Sequence, residues 1–378
     1  MSILLGKGVS LGSQSTADRN AGVGTEVGTF IYNSTTNSLQ IYTTAGQWED
    51  VAGVFTASGG NILNAAAPGN GFKYHTFNSP GAFTVSSGSK SIEVLVVAGG
   101  GGGGSHNNGG TDGGGGGGGG GVVLATNFPI APGTYNVNVG TGGPGGASNT
   151  NNNTQPPGAS RPAPYSGDQG RTGGDSVFGA SSPNLFKLTA KGGGGGGSGP
   201  NAGNQDNGGS GGGAGSGGNP FTPGGAQIQT PQNPGHLGSL SQYGNAGGNC
   251  PASPEFLGAG GGGAGSAGGN GGPGAPGRGG DAVLLPVAWD APTIGLPGLN
   301  PVSRYFGAGG SGGRQANVTN SPVSGGTGGG GAGAGGPGSP AGTGAANGSG
   351  GGGGAGTPSS QTAGAAGGAG LVVIRYQS

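Results

Sequence analysis

Cysteine occurs once in 378 residues, at Cys250, so neither an intrachain disulfide framework nor a cysteine-rich zinc site is available. Charge is almost as scarce. Twelve Lys and Arg stand against twelve Asp and Glu, 6% of the chain with no net charge, which disfavours a basic surface for nucleic acid. The three histidines, His75, His106 and His236, have no ligand spacing, and each reads as a surface residue without a metal. No paired carboxylates or nucleophile constellation appears, so an enzyme, a cofactor and a catalytic residue are all unexpected. Residues 1–11 lack the apolar length of a signal peptide or a membrane span. Asn33, Asn152, Asn317 and Asn347 open glycosylation sequons, which mean little without a secretory signal.

What the chain has is glycine. Residues 113–121 are nine in a row, shorter runs recur at 99–104, 192–197, 260–263 and 350–354, and Gly and Pro together number 110 and 27. Composition alone would place such a chain among disordered, low-complexity sequences. If the runs are ordered, side-chain packing cannot be what orders them. A helix is disfavoured by about 1 kcal/mol per Gly relative to Ala, and a glycine strand has nothing to fix its register. The remaining regular form is the polyproline II type helix, with three residues per turn and outward-pointing N–H and C=O groups. Without Cβ atoms, neighbouring helices of this kind approach until each bonds to the next. Net gains of about 0.5–1.5 kcal/mol per lateral bond only roughly match the ordering cost of about 1–2 kcal/mol per residue. The bundle therefore needs a conventional frame to hold its ends.

Collagen is rejected, because 113–121 fills all three registers with Gly while QIQTPQ (227–232) and TNSPVS (319–324) break any period of three. An ice-binding bundle would want a sustained tripeptide register, and none is seen across the chain. Gly-x-Gly-x-x-Gly recurs by chance and says nothing of phosphates. GRGGD (277–281) and GGDS (173–176) are similar to calcium-binding repeats but form no tandem array, so structural turns are expected there.

The frame is legible as short β-branched and aromatic segments between the runs: 72–77, 82–85, 91–98, 122–125, 134–139, 177–178, 185–190 and 371–376. No helical periodicity of useful length appears. These segments predict an all-β fold, an antiparallel sandwich whose loops have grown into a slab of glycine helices, closed by the terminal strand. Residues 1–55 differ. Two aromatic-rich strands at 30–32 and 39–42, a polar turn at 33–38 and Trp48 make a small N-terminal hairpin module, followed by a linker at 56–70 and the glycine-rich domain at 71–378.

The series GAFTVSSGSKSIEVLVVAGGGGGG, VVLATNFPIAPGTYNVNVGTGGPGG, GGDSVFG, LTAKGGGGGG and terminal GLVVIRY resembles the glycine-rich domain of bacteriophage tail-fibre and related virion proteins, and more distantly that of receptor tyrosine kinases. The resemblance implies packed polyglycine II helices on a jelly-roll-like sheet. Residues 28–51 resemble a short repeat of phage fibres. A virion location is then expected, on tail or capsid exterior, for a protein made in the host cytoplasm without a signal peptide. A homotrimer is expected through Tyr32, Tyr42 and Trp48, which would also attach the chain to other virion proteins.

Four inserts interrupt the runs, at 148–172, 219–257, 283–306 and 315–324. Since a glycine helix must turn at its ends, they should emerge as loops at the ends of the slab. Tyr165, Phe221, Tyr243, Phe256, Trp289, Arg304, Tyr305 and Phe306 are the candidate contacts to a host surface glycan or outer-membrane protein. The alternatives are that these aromatics plug the slab, or that the protein is a head fibre or capsid decoration without a receptor.

Overall fold

Wherever β-branched and aromatic residues interrupt glycine, the computed structural model has strand. It describes residues 13–22, 25–35, 38–44, 46–51, 55–61, 71–105, 113–147, 169–180, 187–199, 205–216, 221–229, 238–251, 257–272, 274–286, 304–314, 323–334, 341–344 and 363–377. Two compact units divide the chain. The first combines Met1–Ser58, Thr84–Lys90 and Pro129–Gly133; the second holds Gly59–Phe83, Ser91–Phe128 and Thr134–Ser378.

In the first unit, β1 (Ser13–Gln14), β2 (Phe30–Asn33), β3 (Ser38–Tyr42) and β4 (Trp48–Asp50) form a sheet in that order, β1 parallel to β2 and the others antiparallel. The expected hairpin is its centre, with Phe30 opposite Ile41 and Tyr32 opposite Leu39. The sheet is joined by a short helix, α1 (Thr16–Gly22), that no helical periodicity announced. Seven residues are too few to show periodicity, but Ser15 and Asp18 cap it reciprocally: Asp18 N–H donates to the Ser15 hydroxyl, and Ser15 donates back to the carboxylate at 2.6 Å. The Ser15 hydroxyl and, secondarily, the Ser15 N–H donate to the Asp18 carboxylate and hold it below its ordinary pKa. Arg19 of α1 reaches Gln40 at 2.7 Å, and Gln40 accepts from buried Asn33, so this face of the sheet is polar and closed. The opposite register leaves Phe30 and Tyr32 exposed. Within the stretch expected to be linker, β5 (Thr56–Ser58) pairs antiparallel with residues 84–87.

The second unit is the sandwich and slab. One sheet has the order β12 (Lys187–Ala190), β11 (Ser176–Ala180), β10 (Gly133–Asn138), β7 (Gly81–Ser87). The other runs β13 (Leu240–Tyr243), β9 (Val122–Ile130), β8 (Lys90–Val97), β16 (Leu371–Gln377), β6 (Phe72–Phe77). The terminal strand thus lies inside its sheet, with Val373 opposite both Leu95 and Thr76. Phe178 stands at the centre of the sandwich core, fully buried, with the rings of Phe128 at 6.1 Å and Phe83 at 6.4 Å. The outer face of the second sheet is covered too: Leu95, Val97, Leu371 and Val373 share one cluster with Val283, Leu285 and Phe306 from a small arm, β14 (Val283–Leu284) paired with β15 (Tyr305–Phe306).

Each strand that leaves the sandwich continues as a glycine run, and the backbone bonds of these runs rotate with a period of three. Ala98, Gly101 and Gly104 donate to Gly121, Gly118 and Gly115; Gly99 and Gly102 to Gly174 and Arg171; Gly100 and Gly103 to Gly368 and Ala365. One run thus feeds three neighbours in turn, as three residues per turn requires. Bond lengths are 2.8–3.1 Å. The run 113–121 exchanges such bonds with runs 98–105, 191–199, 205–216, 257–265 and 307–314. None of the glycines at 99–104, 113–121 or 192–197 is among those with positive φ, so these runs keep one hand. The expected run at 350–354 lies outside the described residues.

Close approach explains why interior runs contain glycine in every register. A Cβ on Gly117 would lie 2.2 Å from the Gly101 carbonyl oxygen, and on Gly118 2.2 Å from that of Ser210. Edge runs relax this. In 141–147 the exposed residues are Thr141, Pro144 and Ala147, while Gly143 and Gly146 are buried, so the period of three that the whole sequence lacks appears locally at the slab's edge.

Candidate functional site

Chain direction gives the slab two distinct ends. Run 98–105 leaves β8 and run 113–121 returns to β9, so residues 105 and 113 lie at the end away from the sheets. By the same logic 147 and 169, 216 and 221, 250 and 257, and 314 and 323 flank connections that leave from this far end. Two expected inserts, 148–172 and 315–324, therefore depart there. The insert 219–257 is divided: its middle returns through β13 beside β9 at the sheet end. The insert 283–306 departs wholly from the sheet end, because its flanks are β14 and β15.

This separation sorts the candidate residues. Phe221 is 57% exposed at the far end and Ile228, at the other end of its run, 41%. Phe306 is 1% exposed and belongs to the core, which removes it as a contact; an aromatic between glycine and a turn reads the same in sequence whether it plugs or binds. Tyr243 packs against that same cluster. Arg304 and Tyr305 are half-buried at the sheet end, where the Arg304 carbonyl accepts from Leu285 N–H at 3.0 Å. Tyr165, Phe256 and Trp289 lie outside the described residues, as do His106 and His236. In the first unit Tyr32 is on the open face, whereas Tyr42 and Trp48 meet edge-on at 5.3 Å.

His75, expected at the surface, is half-buried. Its ring stacks on Tyr376 at 5.6 Å and meets Phe83 edge-on at 5.0 Å. Nδ1 lies 2.8 Å from the Gly59 carbonyl and Nε2 3.1 Å from the Tyr376 hydroxyl, so a neutral ring protonated at Nδ1 satisfies both contacts. Burial lowers its pKa. Cys250 is buried beside Ala214 and Ala259, its Sγ 3.2 Å from the Leu257 carbonyl, and burial pushes its pKa up to about 11. Such a thiol is a small core residue and not a nucleophile.

The two motifs similar to calcium repeats are structural. In 277–281, Arg278 pairs with Asp281 at 2.8 Å, and Asp281 accepts from Thr327 N–H. In 173–176, Asp175 pairs with Lys191 at 2.7 Å and accepts from Gly192 N–H, while the Ser176 hydroxyl accepts from Gly140 N–H. Among the described residues no group of three or more His, Cys, Asp or Glu could hold a metal ion, and no helix is long and apolar enough to cross a membrane.

One far-end residue escaped the sequence reading. Arg314 closes run 307–314, is 5% exposed, and its Nε and Nη1 atoms are buried without a hydrogen-bond partner. Burial lowers its pKa. Its only signal in sequence was a single cation ending GAGGSGGR.

A β-sandwich extended by hydrogen-bonded glycine helices defines a glycine-rich domain protein. The family model described as a glycine-rich domain matches residues 75–377, and the chain belongs to that family. No curated protein matches it.

Proposed function

We propose that this is a bacteriophage virion structural protein, a tail fibre or receptor-binding adhesin. It contacts a host surface glycan or outer-membrane protein through the far end of its slab and acts by binding rather than catalysis. The observation that carries this reading is the segregation of the molecule. The slab is anchored by its sandwich at one end, and the connections flanked by 105 and 113, 147 and 169, 216 and 221, 250 and 257, and 314 and 323 depart from the other. Loops on a rigid scaffold can vary without disturbing the frame, and binding energy concentrates in a few anchors such as exposed Phe221. The N-terminal module would attach the chain to other virion proteins as a homotrimer, with Tyr32 on the face offered to a neighbour. The burial of Phe306 and the packing of half-buried Tyr243 against its cluster favour a second reading, a capsid decoration whose aromatics are plugs.

The test exchanges loops by end. Phage carrying Phe221→Ala together with a Gly-Ser replacement of 148–168 should assemble normally and adsorb at least tenfold less. Replacement of 287–303, whose flanks β14 and β15 are at the sheet end, should leave adsorption unchanged. Normal adsorption by the first phage would move the assignment to decoration.

A further inference from the structure

A guanidinium cannot escape burial by giving up its proton, so a buried Arg must find a counter-charge. Arg375, whose side chain is 9% exposed, keeps that rule by pairing with Glu93 at 2.7 Å, and the more exposed Arg278 and Lys191 pair with Asp281 and Asp175. Arg314 breaks it: 5% exposed, it holds two buried nitrogens, Nε and Nη1, with no acceptor. The described carboxylates of the slab are engaged elsewhere, Asp175 and Asp281 in those pairs and Asp206 with Thr172 at 3.1 Å and Gln169.

The backbone around Arg314 is fixed. Gly313 N–H donates to the Gly114 carbonyl at 2.8 Å, and the Gly313 carbonyl accepts from Gly258 N–H at 3.1 Å. Ser311, one turn earlier, is fully buried and donates to the Val323 carbonyl at 2.7 Å. The cation is therefore held on a rigid rod at the end of the slab proposed to meet the host. The geometry points to Arg314 as an oxyanion site, donating to the carboxylate of an acidic sugar or to a phosphate group of a surface glycan. This rests on the adhesin reading for its biological source, but the binding chemistry can be measured without a host. A forked guanidinium suits both groups, since each presents paired oxygens at the right spacing.

The experiment is thermal melting of the full chain against sodium glucuronate and, separately, inorganic phosphate, at constant ionic strength, with Arg314→Met beside the wild type. The expected result is a saturable rise in wild-type Tm with one or both anions, absent from R314M. Without anion, R314M should melt at or above the wild type, because an unpaired buried charge has been replaced by an apolar chain. A rise with glucuronate alone assigns an acidic sugar, and with phosphate alone a phosphorylated glycan. No rise with either anion, or a rise that R314M retains, overturns the site. So does an R314M protein that melts well below the wild type, since Arg314 would then be paired within the chain. Poor adsorption of phage would bear on the adhesin reading alone.

Discussion

At the scale of a residue, glycine here is a spacing requirement rather than a source of flexibility. The added Cβ at Gly117 would meet the Gly101 carbonyl carbon at 2.6 Å as well as its oxygen, and both belong to backbone held on all sides. Nothing there can turn aside. Gly117→Ala should therefore destabilise by about 3 kcal/mol or more, at the upper end of overpacking effects. Gly272 has nothing within 4 Å of its would-be Cβ and no positive φ. Gly272→Ala should fall within about 1 kcal/mol of the wild type, on the stabilising side, by restricting the unfolded chain. Equal melting temperatures for the two variants would show that close approach is not what selects glycine. This contrast was only half legible. A run of nine glycines announces that side chains are forbidden, but which isolated glycine is replaceable depends on its neighbour in space.

At the scale of an element, each glycine helix must satisfy three directions of hydrogen bonding, and at the rim a neighbour is missing. Side chains take its place. The hydroxyl of Ser216 accepts from Gly113 N–H, Asn207 accepts from Ala226 N–H at 2.7 Å, and Asn249 from Gly224 N–H at 2.8 Å. Ser216, Asn207 and Asn249 are thus caps. Removing one should leave a backbone donor unpaired. Ser216→Ala, at a site 3% exposed, should cost about 1–3 kcal/mol. Hydrogen exchange should localise the loss, with the Gly113 amide exchanging faster while Gly101, bonded to Gly118 across the slab, is protected as before. Unchanged exchange at Gly113 would mean the hydroxyl is not its partner. The capping role was invisible in sequence, where Ser and Asn beside Gly read as loop. The same blindness hid α1, whose Ser15–Asp18 cap was present but whose length was too short for a periodic signal.

At the scale of the whole molecule, sandwich and slab depend on one another. Glycine helices gain little beyond their ordering cost, so they persist because strands deliver both ends of the runs in register: β8 and β9 flank 98–121, and β10 and β11 flank 139–175. Disturbing the core should then loosen glycines far from it. Phe178→Ala, at a fully buried site between the sheets, should cost about 3–5 kcal/mol. Exchange at Val94 in the sandwich and at Gly118 in the slab should accelerate together in this variant. Acceleration at Val94 alone would make the slab an independent folding unit.

Sequence by itself determined the class of fold. Alternation in FKYHTF and LVVIRY, continuous apolar residues in SIEVLVVA, and glycine in all three registers of 113–121 leave few alternatives to strands joined to threefold helices, because those patterns act locally. Tertiary structure decided from which end each insert departs. Residues 283–306 look like any other loop between glycine runs, yet β14 and β15 pair and bury Phe306 against the second sheet, so that both flanks of that insert are at the sheet end. It also decided that Arg314 stands without a partner, since pairing is a property of what the folded chain brings within reach and not of the residue's own neighbours in sequence.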